Sequence, residues 1–184
     1  MQPQRLILAA SLLLLAGCKS DSTNPAVLTG SLDFTYSGGI SGTFTVSGQF
    51  PTSTTSQETT PWAAGEVVSG TTSVVAAMPR NATSHDFFLM DLPRTTVGSS
   101  TVVSGCTVNC ADVFIVFGNA NGTGSGFLQS CFLLTGTLSI TEISATRVKG
   151  TFSGTGSCVG PTGTTTTFTI TGGTFDVALV PGVA

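Results

Sequence analysis

From residue 28 onward, apolar and polar side chains alternate with a period of two in almost every segment, the spacing that puts successive side chains on opposite faces of a strand. Leu32, Phe34 and Tyr36 alternate with Ser31, Asp33 and Thr35. After the turn-like SGGISG, Phe44 and Val46 alternate with Thr43, Thr45 and Ser47, which reads as a hairpin. Residues 51–61, PTSTTSQETTP, have Pro at both ends and no apolar side chain, and are expected to be a loop. Strands resume at 66–78 and at 85–92, where Phe88, Met90 and Leu92 face one way and Phe87 and Leu89 the other. A strand that is apolar on both faces is expected to be central. Further strands are predicted near 101–104, 113–117, 127–134, 137–143, 147–153, 165–171 and 174–180. No window of eleven or more residues after Cys18 carries a helical 3.6 period.

About ten short strands at near-regular spacing predict an all-β fold, an antiparallel β-sandwich or small barrel. The Thr-rich outer positions agree, because β-branched side chains suit a pleated surface. Gly-Thr-Phe recurs at 42–44, 150–152 and 173–175. Its unequal spacing excludes a solenoid, and each copy is read as a turn glycine entering a strand whose Phe faces the core.

The N-terminus follows a different pattern. Gln4 and Arg5 lead into an apolar run from Leu6 to Ala16, closed by the small residues Ala16 and Gly17 just before Cys18. This is the layout of an export signal. As a helix the run measures about 16 Å, roughly half of the ~30 Å hydrocarbon core, so it is too short to span a membrane. Leu15-Ala16-Gly17-Cys18 resembles the lipobox of bacterial lipoproteins. That resemblance implies a diacylglycerol on the Cys18 thiol, cleavage before Cys18 and a fatty acyl group, such as palmitate, on the new amine. With two or three chains, attachment to the membrane is lasting. Lys19 rather than Asp at the second mature position implies, by the same resemblance, a place in the cell envelope at the outer membrane. The expected organisation is a signal peptide over 1–17, a lipidated Cys18 with a short tether to residue 27, and one domain over 28–184.

Removing the signal leaves 167 residues, the size of a single core. The mature chain loses Arg5, leaving five basic against nine acidic side chains and a formal charge of −4. That balance does not suit nucleic acid. Charged residues are only 8% of the chain and hydrophobic ones 40%, so hydroxyls carry the solubility. A membrane-spanning barrel would need aromatic girdles, which one Trp and one Tyr do not supply.

Four cysteines remain beside Cys18, an even number in an exported chain, and two disulfides are expected. The favoured pairing is Cys106 with Cys110, close together in SGCTVNC, and Cys131 with Cys158, stapling two distant strands. A four-thiolate zinc site would want paired Cys-x2-Cys knuckles, whereas this chain has one Cys-x3-Cys and two isolated thiols.

Candidate chemistry is sparse, and no cofactor, metal or catalytic set is expected. His85, the single histidine, precedes Asp86 at a strand start; adjacent strand residues point to opposite faces, so the two do not make a base with its orienter. His85 is expected to be a solvated loop-edge residue. Asp33, Glu142 and Asp176 fall opposite the apolar sets and Glu58 in the loop, so acid–base work on a glycoside is not indicated. Asp112 with Asn119-Ala120-Asn121-Gly122 offers oxygen ligands for calcium but lacks an acidic cluster, and a turn is preferred there. Trp62 is expected to close one end of the core rather than serve as a stacking platform.

The motifs MDLPRTTVG, GTLSIT, VKGTF and ITGGTFDV, between residues 86 and 180, resemble a group of uncharacterised lipobox lipoproteins. The resemblance implies an all-β envelope domain and carries no assigned activity to transfer; the Cys106–Cys110 segment lies outside its pattern. The resulting expectation is a lipid-anchored envelope protein with a non-enzymatic binding or structural role and an unspecified protein or glycan partner. A secreted glycan-acting hydrolase is the alternative.

Overall fold

The computed structural model describes residues 28–51, 54–68, 71–93, 96–106, 109–120 and 126–180. The expected export signal, Cys18, Lys19 and the expected tether lie outside the described residues, as does Asn121-Gly122. The elements are β1 (Thr29–Gly38), β2 (Gly42–Gln49), α1 (Thr54–Thr59), β3 (Trp62–Val68), β4 (Thr71–Asn81), β5 (Ser84–Leu92), β6 (Gly98–Val103), β7 (Cys110–Ala120), β8 (Gln129–Ile143), β9 (Arg147–Val159) and β10 (Thr165–Val180).

All ten strands join one sheet in the order β2-β1-β10-β3-β4-β5-β7-β6-β8-β9, and β9 pairs back onto β10. The hydrogen-bonded ring is therefore closed, which removes most of the open edge that a sheet would otherwise present. Pairing is antiparallel except for two short parallel contacts, Leu179 and Val180 of β10 beside Gly65 and Glu66 of β3, and Thr101 and Val102 of β6 beside Cys110 and Ala111 of β7. The hairpin β1–β2 branches from β10, because β10 gives its 168–176 edge to β1 and only its last residues to β3. Opposite sides of the ring face each other across an apolar core. Phe34 of β1 stacks on Phe44 of β2 at 5.1 Å, and meets Phe88 of β5 at 5.6 Å and Phe152 of β9 at 5.7 Å.

A second apolar cluster lies outside the ring. Trp62, Ala64, Val75 and Ala77 pack there with Phe50, Phe87, Leu89 and Val180. Its cover is the segment read from sequence as a plain loop, which folds the short helix α1, whose Gln57 is buried. This explains the doubly apolar β5: Phe88, Met90 and Leu92 enter the inner core, while Phe87 and Leu89 enter the outer one. Trp62 belongs to the outer cluster, not to an end of the main core, and its indole Nε1 donates to the Gln57 carbonyl at 2.8 Å.

Several boundaries differ from the sequence expectation. The predicted strand at 66–78 is the hairpin β3–β4, while 127–143 and 165–180 are the single long strands β8 and β10. The long strands absorb their apparent breaks as bulges, at Leu133/Thr135 and Ile140/Glu142 in β8 and at Ile170/Gly173 in β10, where Gly172 takes φ +68°.

The Gly-Thr-Phe repeats also have a different basis from the turn role expected. In β9 and β10 two copies pair antiparallel, Gly150 opposite Phe175, Thr151 opposite Thr174 and Phe152 opposite Gly173. Each inward Phe thus lies over the other strand's glycine, and a Cβ at Gly173 would come within 2.6 Å of the Phe152 ring.

Candidate functional site

The turns β1–β2, β4–β5 and β9–β10 meet at one end of the ring, where β7 also ends and β8 begins; just inside, the apolar core gives way to polar groups. Asp86 is in phase with Phe88, Met90 and Leu92, so its carboxylate points inward and is 1% exposed. Burying a charge is costly unless it is paired and hydrogen-bonded. Two irregularities supply the partners. On one side, β4 has an extra residue, since Pro79 opposes His85 and Asn81 opposes Ser84; the residue between them, Arg80, forks onto Asp86 with Nε–Oδ1 at 2.9 Å and Nη2–Oδ2 at 3.2 Å. On the other side, β7 places Phe117 and Gly118 against Asp86 alone, and Gly118, at φ +64°, donates its N–H to Oδ1 at 2.7 Å.

Tyr36 completes the cluster, packed on Phe117 at 5.0 Å. A Cβ at Gly42 would fall 2.6 Å from its hydroxyl, so this close approach requires glycine. Burial pushes the Tyr36 hydroxyl above its usual range, with the Asp86 charge adding to the shift and Arg80 opposing it. The hydrogen bond to Asp86 is the largest reason the Arg80 guanidinium is held more firmly protonated than usual. Arg80 remains 39% exposed, so the pair spans from core to solvent.

His85 is not the solvated residue expected. It is 4% exposed on the face opposite Asp86, with Nε2 3.2 Å from the Asn119 amide nitrogen. The sequence reading placed the two side chains on opposite faces correctly but missed that both faces are buried. It also missed Arg80, Tyr36 and Gly118 as a group. The available signal was parity, which puts Asp86 in phase with three core residues.

The outer face of β2, β1, β10, β9, β8 and β6 is covered by hydroxyls in register. One row crosses six strands, Thr45, Asp33, Thr174, Thr151, Ser139 and Ser99. Thr45 donates to Asp33, Thr135 meets Thr155 at 2.9 Å and Thr137 meets Ser153 at 3.1 Å. A second row, Ser47, Ser31, Asp176, Lys149 and Glu142, holds the main surface charges. Lys149 bridges Glu142 at 2.9 Å and Asp176 at 3.7 Å, and Arg147 also pairs with Asp176. These carboxylates do converge, but onto two cations on an open surface, an arrangement for cross-strand pairing rather than proton transfer.

The disulfides are Cys106–Cys110 and Cys131–Cys158. The second joins directly opposed residues of the neighbouring strands β8 and β9, not distant strands. Its sulfurs lie in the inner core. The first closes a short loop in which Asn109 takes φ 57°, and the residues flanking it are joined where Gly105 N–H donates to Asp112 Oδ2 at 3.3 Å. Asp112 and Asn119 sit toward opposite ends of β7, seven residues and about 23 Å apart, so they do not share an ion. Among the described residues no three His, Cys, Asp or Glu side chains gather in a way that would hold a metal. Asp33 and Glu142 are exposed and Asp176 partly so, as their alternation predicts, while Glu58 lies in α1. Comparison with protein-family models, with curated proteins and with solved structures finds no match to this chain.

Proposed function

We propose that this chain is a lipid-anchored protein of the cell envelope, contacted by its partners through the hydroxyl face and serving a non-enzymatic binding or structural role. Cys18 carries the lipid and the ring of strands is the presented domain. The observation that supports the binding role is the row spanning six strands, with hydroxyls at five of its positions and Asp33 at the sixth. Each hydroxyl both donates and accepts, and the sheet fixes its spacing at about 4.8 Å between strands. Such a surface is ordered before contact, so less freedom is lost when a protein or glycan seats on it.

The test pairs two measurements on the protein isolated from envelopes. Mass spectrometry of the Cys18 peptide is expected to find the diacylglyceryl adduct; a free thiol refutes the anchor. The double variant Thr151→Lys/Thr174→Lys, at two exposed positions of the row, is expected to lose whatever envelope component the parent retains. Unchanged retention refutes the hydroxyl face as the contact surface.

A further inference from the structure

The outward face of β7 and of the first residues of β8, up to Leu134, breaks the hydroxyl pattern. Phe114 stands between Leu89 of β5 and Phe132 of β8, with the Phe114 and Phe132 ring centroids 4.8 Å apart. On the adjoining row Val116 stands between Phe87 and Ser130, and Val159 of β9 flanks Ser130 in turn. Leu134 emerges at the β8 bulge and is 48% exposed; Leu128, backed onto Gly118, is 55% exposed, and Val159 42%. The band is continuous with the outer cluster. Its Phe87 and Leu89 side is packed with Trp62 and Phe50, whereas its β7–β8 side carries these exposed side chains.

We infer that this band of β7 and β8 is a membrane-docking face, which seats on the phospholipid bilayer to which Cys18 ties the chain. The inference rests on the anchored reading above. Ten residues, Cys18 to Val27, separate the lipid from the start of the domain and reach at most about 35 Å when extended. A domain of this size has a radius of gyration of about 15 Å, equivalent to a sphere about 39 Å across, and the extended tether is of comparable length, so β7 and β8 can meet the bilayer although the tether joins at β1, beside β10. It also keeps the bilayer at high effective concentration, so a band too small to bind membrane from solution is sufficient once the chain is anchored. Phospholipid is therefore the apolar surface most available to the band. The polar positions on its rows are the uncharged Ser130 and Ser157, so docking strips no charge of water there; Asp91 and Asp112 face each other on the next row and mark the rim. Strand order adds a consistent geometry. β7 lies across the ring from β10, so seating β7 and β8 on lipid turns the rows of β1, β2 and β10 away from the membrane.

The test uses the full lipidated chain in phosphatidylcholine vesicles whose acyl chains carry a photoactivatable diazirine, followed by peptide mapping. Label is expected at Phe114, Phe132 and Leu134. The variant Leu128→Asp/Leu134→Asp, both at exposed positions and checked for an unchanged melting curve, is expected to lower that label roughly tenfold, because the two half-exposed leucines together withhold about one side chain's worth of apolar burial. Label spread evenly over all strands, label confined to the segment beside Cys18, or cross-links between two copies through this band would overturn it. The same digest reports the mass of the Cys18 peptide: an unmodified thiol removes the anchor itself, whereas a lipidated Cys18 with label elsewhere removes only the docking face.

Discussion

Substituting Gly173 by Ala probes the reciprocal fit of the two Gly-Thr-Phe segments. The new methyl would lie 2.6 Å from Cε1 and Cζ and 2.8 Å from Cδ1 of Phe152, about 1 Å inside ordinary carbon contact. The ring has little room to retreat, because Phe34 and Phe88 sit 5.7 Å and 5.5 Å from its centroid and interiors are packed like crystals. Overpacking of this kind costs about 2 kcal/mol, or roughly 4–8 °C in Tm for a domain of this length. Phe152→Leu alone leaves a gap and costs about 1–2 kcal/mol, but in the double variant it vacates the space that the new methyl needs. The pair is therefore expected to fall short of additivity by about 1 kcal/mol or more. Urea midpoints of the four proteins, disulfides intact, measure the cycle. Additivity to within about 0.5 kcal/mol would show that the ring does not stand over Gly173, and the reasoning would fail. Gly150→Ala is the harsher companion, since its methyl would meet the Ser139 carbonyl oxygen as well as the Phe175 ring.

Three other outcomes are expected. Replacing Cys131 and Cys158 with Ala opens a loop with a sequence separation of 27 and should cost about 3–4 kcal/mol, against about 2 kcal/mol for the Cys106–Cys110 pair, on comparison of urea midpoints; equal losses would contradict the loop-entropy argument. Arg80→Ala strands a buried carboxylate and should cost about 3 kcal/mol, more than Asp86→Asn, whose unpaired guanidinium turns to solvent while the new amide oxygen still accepts from Gly118 N–H; a reversed order in thermal melts would refute this. Burial holds the Glu66 carboxyl above its usual range, so the folded state binds its proton more tightly and stability is lost as pH rises from about 4.5 through the raised value. Glu66→Gln removes that loss: its Tm should exceed the parent's at pH 7 and match it near pH 3, and a gap of equal size at both pH values would exclude the mechanism.

Parity along the chain was enough to place most strands and to sort Leu32, Phe34, Phe44, Phe168 and Ile170 inward and Asp33 and Glu142 outward, because a strand's two faces are set by adjacent residues alone. Cysteine count and spacing likewise favoured the pairing found. The same parity carried Asp86 inward, but nothing local could say which cation would meet it. Arg80 reaches it only because β4 holds one extra residue, and Gly118 only because β7 does.

Alternation of side chains thus determined the all-β class, the two faces and most of the inner core. Tertiary structure decided which strands are neighbours, where the ring closes and where a bulge turns a side chain. It also turned a polar Thr/Ser stretch into the cover of a second core. The reason is register: side-chain direction is a property of one strand, while hydrogen-bond partners and close Gly–Phe contacts belong to pairs of strands whose alignment the whole core must choose.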